Sequence, residues 1–191
     1  MKLYFNPQSR AVISKWMLDE CGADYEVVPI DFTKGEHKQP EFLKINPAGK
    51  LPALADGDTK VFESAAICLY LADKFPQANL APKIDAPERG RYLSLMVYST
   101  SQLEPALGDA LLGGQTSPQR GWTDFETCKK VIEGELGGGP YLFGNWFTAA
   151  DVMIGSMFIW KRIFGAPPDG PKLEAYVDRL LARPKAMKSG K

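Results

Sequence analysis

The stretch of residues 46–64 contains the groups of this chain best suited to binding a small peptide. Pro52 has no N–H and cannot complete the ladder of a central strand, so it belongs at the start of the apolar strand that follows. A cis Leu51–Pro52 bond is a reasonable candidate at such a position. The main chain of Leu51, just ahead of the strand, is then predicted to be unpaired and to face outward. An extended peptide could dock there by main-chain pairing.

Two further groups lie at the end of the same stretch, where a helix is predicted to begin. Glu63 supplies a carboxylate, and Ser64 supplies a hydroxyl beside the free N–H groups of the helix start. The carboxylate suits an ammonium group, and the hydroxyl with the N–H groups suits a carboxylate. With Leu51 they could hold both ends of a small zwitterionic peptide, although the pair is also compatible with an ordinary helix start.

The elements that must position these groups form a small mixed sheet with helices. The predicted order is strand 2–5, loop 6–9, helix 10–21, strand 25–30, a short helix begun by Pro40, strands 52–55 and 60–62 around a 56–58 turn, and helix 64–75. A strand–helix–strand unit of this length implies a parallel pair with a crossover. The first domain is therefore predicted over residues 1–76.

After a predicted linker, residues 77–86, only helical patterns remain, and the second domain is predicted as an all-helical bundle over residues 87–191. The first predicted helix is opened by a capping sequence at 85–88 and runs toward 107, bent or ended by Pro105. The others are 117–136, 152–164 and 171–181. Thr148 and Asp151 are spaced as a capping box, which is a folding element. The helix after them is apolar nearly all round and is predicted to lie at the centre of the bundle.

Composition excludes several classes of function. The 23 basic and 23 acidic residues balance, which argues against nonspecific nucleic-acid binding. There is no run of 18 apolar residues and no pattern of a secretory signal, so we expect no membrane segment. The three widely spaced cysteines fit a reducing, cytoplasmic compartment. With a single histidine, His37, and no Cys or His cluster near it, we expect no metal site.

With these pieces in place, the chain resembles the cytosolic glutathione transferase family over nearly its full length. Five segments in the family's order carry the resemblance: Lys2–Tyr4 with Ser9, Glu36–Lys38, Asn46–Leu54, Phe62–Ile67 and Phe147–Asp151. The segment Glu36–Lys38 is similar to the phi class and its serine-using bacterial relatives. The resemblance implies a thioredoxin-like domain followed by a helical domain, a cytoplasmic homodimer, a role in detoxification, and glutathione as co-substrate.

The implied activity is attack of the glutathione thiol on a small electrophile, with Ser9 as the catalytic residue. An unperturbed thiol has a pKa of about 8.5, and lowering it by two units takes roughly 2.7 kcal/mol. One hydrogen bond to a charged group contributes about 1.5–3 kcal/mol, and a helix N-terminus adds about 0.3–1. Ser9 could instead be an ordinary helix cap. Ser14 is a rival hydroxyl one turn inside the helix, and the role of Arg10 stays open.

The resemblance also assigns contacts with glutathione. His37 and Lys38 match residues at the glycine carboxylate end, where Lys50 is placed to assist. Leu51, ahead of Pro52, matches the residue whose main chain pairs with the cysteinyl part. The γ-glutamyl end is assigned to Glu63 and Ser64, which were singled out above. For His37 and Lys38 the alternative is a solvated polar loop.

The electrophile pocket of the family lies between the domains. The candidates for it here are Asn6, Pro7, Tyr98, Gln102 and Trp160. For Tyr98 and Trp160 the alternative is a plain core position.

Two alternatives to a general glutathione transferase remain open. One is a specialised enzyme of the same fold, such as a glutathione-dependent dehalogenase or isomerase, which would use the same residues. The other is a non-catalytic binding or assembly module, whose expected mark is loss of Ser9 or of the Glu63–Ser64 pair. Both features are present in the sequence, which favours the enzyme.

Overall fold

The chain divides into two compact units. The structure is a computed structural model that describes residues 1–114, 116–117 and 119–187. The first unit comprises Met1–Asn79 with Met187, and the second comprises Leu80–Ala186. The division falls inside the predicted linker 77–86.

The first unit is a four-stranded mixed sheet with helices, as predicted. Its elements are β1 (Lys2–Phe5), α1 (Ala11–Cys21), β2 (Glu26–Pro29), α2 (Pro40–Leu43), β3 (Ala53–Asp56), β4 (Thr59–Phe62) and α3 (Ser64–Lys74), with 3-10 turns at Glu36–Lys38 and Pro76–Ala78. The strand order is β2-β1-β3-β4. β1 is parallel to β2 and antiparallel to β3, which is antiparallel to β4. This is the predicted thioredoxin-like arrangement.

Successive side chains along each strand point to opposite faces of the sheet. Leu3 of β1 lies opposite Leu54 of β3, and both side chains are completely buried. Tyr4, on the other face, contacts the ring of Phe42 from α2 edge-on, with ring centroids 5.6 Å apart. On that face lies a set of residues that we call the Leu51 cluster: Ala11, Ile30, Phe42, Leu51 and Ala53.

The second unit contains the remaining helices. They are α4 (Arg89–Tyr98), α5 (Glu104–Leu112), α6 (Phe125–Leu136), α7 (Ala149–Ile163) and α8 (Pro171–Leu181), and a π-helical turn, Ser99–Leu103, joins α4 to α5. In the described part of this unit the only β pairing is in two isolated bridges within residues 141–146.

Two predicted helix boundaries in this unit are wrong. The helical run predicted to reach 107, bent or ended by Pro105, continues to Leu112, because Pro105 lies in the first turn of α5, where a missing N–H costs little. The helix predicted from residue 117 begins at Phe125, because the Asp124 side chain accepts the N–H of Thr127 at 2.8 Å and caps α6 there. Pro118, part of the predicted start, lies outside the described residues.

The capping box ahead of α7 is confirmed. The Asp151 carboxylate accepts the N–H groups of Thr148 and Leu142, both at 2.9 Å, and the hydroxyl of Tyr176 at 3.0 Å. Burial raises the pKa of Asp151 to about 6. α7 is buried along almost its whole length, as predicted for a central helix. It also approaches α8 closely, since a methyl group added at Gly155 would overlap the side chain of Leu180.

Three further properties bear on the expected location and chemistry. Within the described residues, no helix is long and apolar enough to cross a membrane. The same residues contain no group of three or more His, Cys, Asp or Glu side chains placed to hold a metal ion. Cys21, Cys68 and Cys128 form no disulfide bond and are buried, and burial raises the pKa values of Cys68 and Cys128.

Candidate functional site

Ser9 lies in the turn that joins β1 to α1, immediately before the N-terminus of α1. Its hydroxyl donates to the main-chain oxygen of Asn6 at 2.7 Å and accepts the N–H of Ala11 at 3.2 Å. The serine is half-buried, so its hydroxyl is close to the surface. Ser9 therefore caps one N–H group at the start of α1, as an ordinary helix cap would. Its hydroxyl also lies at the end of the helix where the free N–H groups point.

The rival hydroxyl of Ser14 is placed differently. Ser14 is completely buried in α1, and its Oγ has no hydrogen-bond partner in the described structure. An enclosed hydroxyl cannot reach a thiol bound at the surface. Of the two serines, only Ser9 is placed to contact a bound substrate.

Leu51 has its side chain buried and its main chain unpaired. The side chain is 8% exposed and belongs to the Leu51 cluster. The Leu51–Pro52 bond is cis, as expected. The pairing of β3 with β1 begins only at Ala53, opposite Tyr4, and within the described residues the Leu51 N–H and C=O form no hydrogen bond. This is the unpaired edge predicted for peptide docking.

Asn46 holds the loop that leads into this edge, a role that the sequence reasoning missed. The side chain is buried; its Nδ2 donates to the oxygen of Lys50 at 2.8 Å, and its Oδ1 accepts the N–H of Ala48 at 3.0 Å. Its main-chain oxygen accepts the N–H of Gly49. The available signal was the Asn–Pro pair at residues 46–47, since such pairs favour turns.

The residues predicted to bind the glycine carboxylate border the same loop. Lys38 donates through Nζ to the oxygen of Ala48 at 3.3 Å, and a Cβ built on Gly49 would lie 2.7 Å from that Nζ. Gly49 has a φ of 60° and no side chain, which lets Lys38 lie across the loop. The ring of His37 contacts the ring of Phe32 edge-on, with ring centroids 4.9 Å apart, and its buried Nδ1 has no hydrogen-bond partner in the described structure. Lys50 is exposed on the loop itself.

Glu63 has an unusual backbone conformation at the start of α3. Its φ is 72° and its ψ is 128°, a region that residues with a side chain rarely adopt. Such a residue costs of order 1–3 kcal/mol and is found most often at functional sites. The exposed Glu63 side chain makes no capping hydrogen bond that would explain the conformation. Ser64, the first residue of α3, is 8% exposed.

The residues predicted for the electrophile pocket are distributed over both units. Asn6 and Pro7 lie in the turn before Ser9, and the oxygen and the nitrogen of the Asn6 amide each have a main-chain partner inside the first unit. In the second unit, the amide of Gln102 donates to Gly121 at 2.7 Å and accepts from Thr123 at 3.1 Å, so it holds the loop before α6.

The two aromatic candidates of the second unit are both partly exposed. Tyr98 ends α4; its hydroxyl is buried, and burial raises the pKa of Tyr98. Trp160, near the end of α7, is half-buried. Assignment of either residue to the electrophile pocket stays a prediction.

Comparison with known proteins gives a consistent result. Residues 1–73 match the family model described as the glutathione S-transferase N-terminal domain. A probable glutathione S-transferase GSTF2 from Oryza sativa subsp. japonica is 34% identical over 190 residues, which cover 90% of this chain and 86% of the relative. Glutathione S-transferase 1 from Zea mays is 36% identical, with the same two coverages.

Solved structures agree with the sequence relatives. The ternary complex of BphK, a bacterial GST, superposes with a TM-score of 0.80 at 25% identity, over 97% of this chain and 95% of that one. A sphingomonad glutathione S-transferase complexed with glutathione superposes with a TM-score of 0.79 at 29% identity, over 97% and 94%.

Proposed function

The chain belongs to the glutathione S-transferase family, and we propose that Ser9 activates the thiol of glutathione in its reaction. The chain is a glutathione transferase: the sulfur attacks an electrophilic carbon of a small molecule and forms a carbon–sulfur bond. In a substitution the leaving group departs with its electron pair. In an addition the adduct takes up a proton.

The observation that carries the role of Ser9 is the placement of its hydroxyl between the start of α1 and the surface. A turn of the Ser9 O–H away from the Asn6 oxygen directs the proton to a bound sulfur, while Oγ still accepts from Ala11. The exchange gives up a neutral hydrogen bond of about 0.5–1.5 kcal/mol for one to a thiolate of about 1.5–3 kcal/mol. The retained Ala11 N–H polarises the hydroxyl further. These terms favour the thiolate without a dedicated base.

The remaining contacts follow from the chemistry of glutathione. Its cysteinyl part pairs with the free main chain of Leu51, ahead of Pro52. The γ-glutamyl ammonium faces the Glu63 carboxylate, and the γ-glutamyl carboxylate faces the Ser64 hydroxyl and the N–H groups that begin α3. The glycine carboxylate is bound by His37, Lys38 and Lys50. This last assignment is supported by the position of Lys38 over the Ala48–Gly49 loop.

The test is Ser9→Ala, with Ser14→Ala in the helix that follows as the matched control. We expect Ser9→Ala to fold normally and to lose at least tenfold in turnover of a generic aryl halide, because the hydrogen bond to the thiolate is gone. Ser14→Ala removes only a buried hydroxyl without a partner and should turn over normally. Unchanged turnover in Ser9→Ala would reject the role of Ser9. A wild-type chain that retains glutathione but transfers it to no electrophile would indicate the binding-module alternative.

Three wider properties belong to the same proposal. We place the protein in the cytoplasm, where its three cysteines, none of them in a disulfide bond, stay reduced. We assign it a role in detoxification, with varied small electrophiles as substrates. We expect it to form a homodimer, as the family resemblance implies, and sedimentation of the purified chain would test this.

A further inference from the structure

We propose that Asn6 is the positioning residue for the Ser9 hydroxyl, not a residue that contacts the electrophile. The inference rests on the proposed role of Ser9. Four hydrogen bonds of the 6–9 turn converge on Asn6. Its main-chain oxygen accepts the N–H of Ser9 at 3.1 Å and the Ser9 hydroxyl at 2.7 Å. Its side-chain Oδ1 accepts the N–H of Gln8 at 2.9 Å, and its Nδ2 donates to the oxygen of Ile30 at 2.8 Å.

The bond to Ile30 differs from the others because it leaves the turn. Ile30 follows β2 and is separated from Asn6 by 24 residues in the sequence. Its own N–H donates to the Phe5 oxygen at 2.8 Å, so it extends the ladder between β1 and β2. The Asn6 side chain therefore attaches an otherwise irregular turn to the rigid end of the sheet.

The same bond connects the two halves of the proposed glutathione site. Ile30 packs in the Leu51 cluster, which also contains Ala11, two residues after Ser9. The turn that carries the hydroxyl and the segment that presents the Leu51 main chain are thus held against one set of buried side chains. A hydroxyl that must meet a sulfur bound at Leu51 depends on this common support, since displacements of about 1 Å can cost as much as 100-fold in rate.

Both polar atoms of the Asn6 side chain are bonded to the main chain of the first unit. An amide side chain has one oxygen and one NH₂ group, and in Asn6 the oxygen and the nitrogen each have a main-chain partner. The sequence prediction that Asn6 lines the electrophile pocket is replaced here by a role one step removed from the chemistry.

The test compares two asparagines that each hold one loop of the first unit. Asn6→Ala should lower kcat with an aryl halide at least tenfold while changing the KM for glutathione less than threefold. It should also raise the pKa of the bound glutathione thiol towards that of a free thiol, as seen in the pH profile of kcat/KM for the aryl halide at saturating glutathione. Asn46→Ala should do the reverse: because Asn46 holds the loop before Leu51, the KM for glutathione should rise and the thiol pKa should stay unchanged.

A double-mutant cycle separates positioning from an independent effect. If Asn6 acts through Ser9, then Asn6→Ala should cost little in a Ser9→Ala background. An equal loss in both backgrounds, or an unchanged thiol pKa in Asn6→Ala, would overturn the proposal. If Asn6→Ala does not fold, Asn6→Ser is the variant to measure: serine can still accept from Gln8 but cannot reach Ile30, and the same outcomes apply.

The cycle also distinguishes the proposed role of Ser9 from the proposed role of Asn6. If Ser9→Ala alone leaves turnover unchanged, the proposed role of Ser9 fails and the positioning role fails with it. If Ser9→Ala is impaired but Asn6→Ala has a normal kcat and thiol pKa, only the positioning role is wrong.

Discussion

Replacing Glu63 with glycine should make the protein more stable and a weaker binder of glutathione. The φ of 72° at Glu63 costs of order 1–3 kcal/mol for a residue with a Cβ, and glycine adopts this conformation without that cost. Glycine also increases the freedom of the unfolded chain, which offsets about 0.4–1 kcal/mol. The net gain is about 0–2.5 kcal/mol. At roughly 2–4 °C per kcal/mol for a protein of this size, this gain corresponds to a rise in Tm of up to about 10 °C.

The matched control is Glu63→Ala, which removes the carboxylate but keeps the Cβ and therefore the strain. Because Glu63 makes no capping hydrogen bond, its Tm should stay close to that of the wild type. Both variants lose the proposed partner of the γ-glutamyl ammonium. A hydrogen bond to a charged group contributes about 1.5–3 kcal/mol, so affinity for glutathione should fall about 10- to 100-fold in both variants.

Two measurements decide the outcome: thermal unfolding without ligand, and titration with glutathione. If Glu63→Gly is no more stable than Glu63→Ala, the backbone at Glu63 is not strained. The binding argument fails separately if both variants keep the affinity of the wild type. If Glu63→Gly is more stable than Glu63→Ala and both variants bind glutathione more weakly, Glu63 lowers the stability of the fold and raises its affinity for glutathione.

Two further predictions concern the stability of the second unit. Gly155→Ala should lower the free energy of unfolding by about 1–3 kcal/mol, because the added methyl group overlaps the side chain of Leu180. The control, Gly134→Ala, lies in open space on α6 and should raise the free energy of unfolding by about 0.5–1 kcal/mol. Equal effects of the two substitutions in urea titrations would contradict the close approach of α7 and α8. For Asp151, the pKa of about 6 in the folded state exceeds the ordinary 3.8, so folding binds protons between these values and the stability due to this group falls as pH rises through 6. The advantage of wild type over Asp151→Asn should therefore shrink by about 1 kcal/mol from pH 5 to pH 7, and an advantage independent of pH would show that Asp151 does not titrate in this range.

Much of the fold could be predicted because its signals are local. Gly22 ends α1 with a φ of 64°, and the Thr148–Asp151 box begins α7, as their spacing indicates. The largest error in a predicted helix start is 117 instead of Phe125. A Ser–Pro pair at 117–118 is also a start signal in sequence, but Asp124 is the residue that caps the helix. Both are acceptable starts in sequence, and the chain uses only the second.

The residues of the candidate site could be predicted from the sequence, but the hydrogen bonds that hold them in position could not. Ser9, Leu51 and Glu63 could be named from residue type and from the family resemblance. The Asn6–Ile30 bond could not, because no spacing rule relates side chains 24 residues apart.

The sequence by itself determined the order of the elements, the family and the set of polar groups proposed to bind glutathione, because each depends on residues a few positions apart. The tertiary structure alone decided which hydroxyl is accessible, which asparagine anchors it, and that Glu63 carries backbone strain. Each of these depends on what surrounds a residue after distant segments have packed: Ser14 is enclosed, Asn6 meets the end of β2, and Glu63 is fixed between β4 and α3.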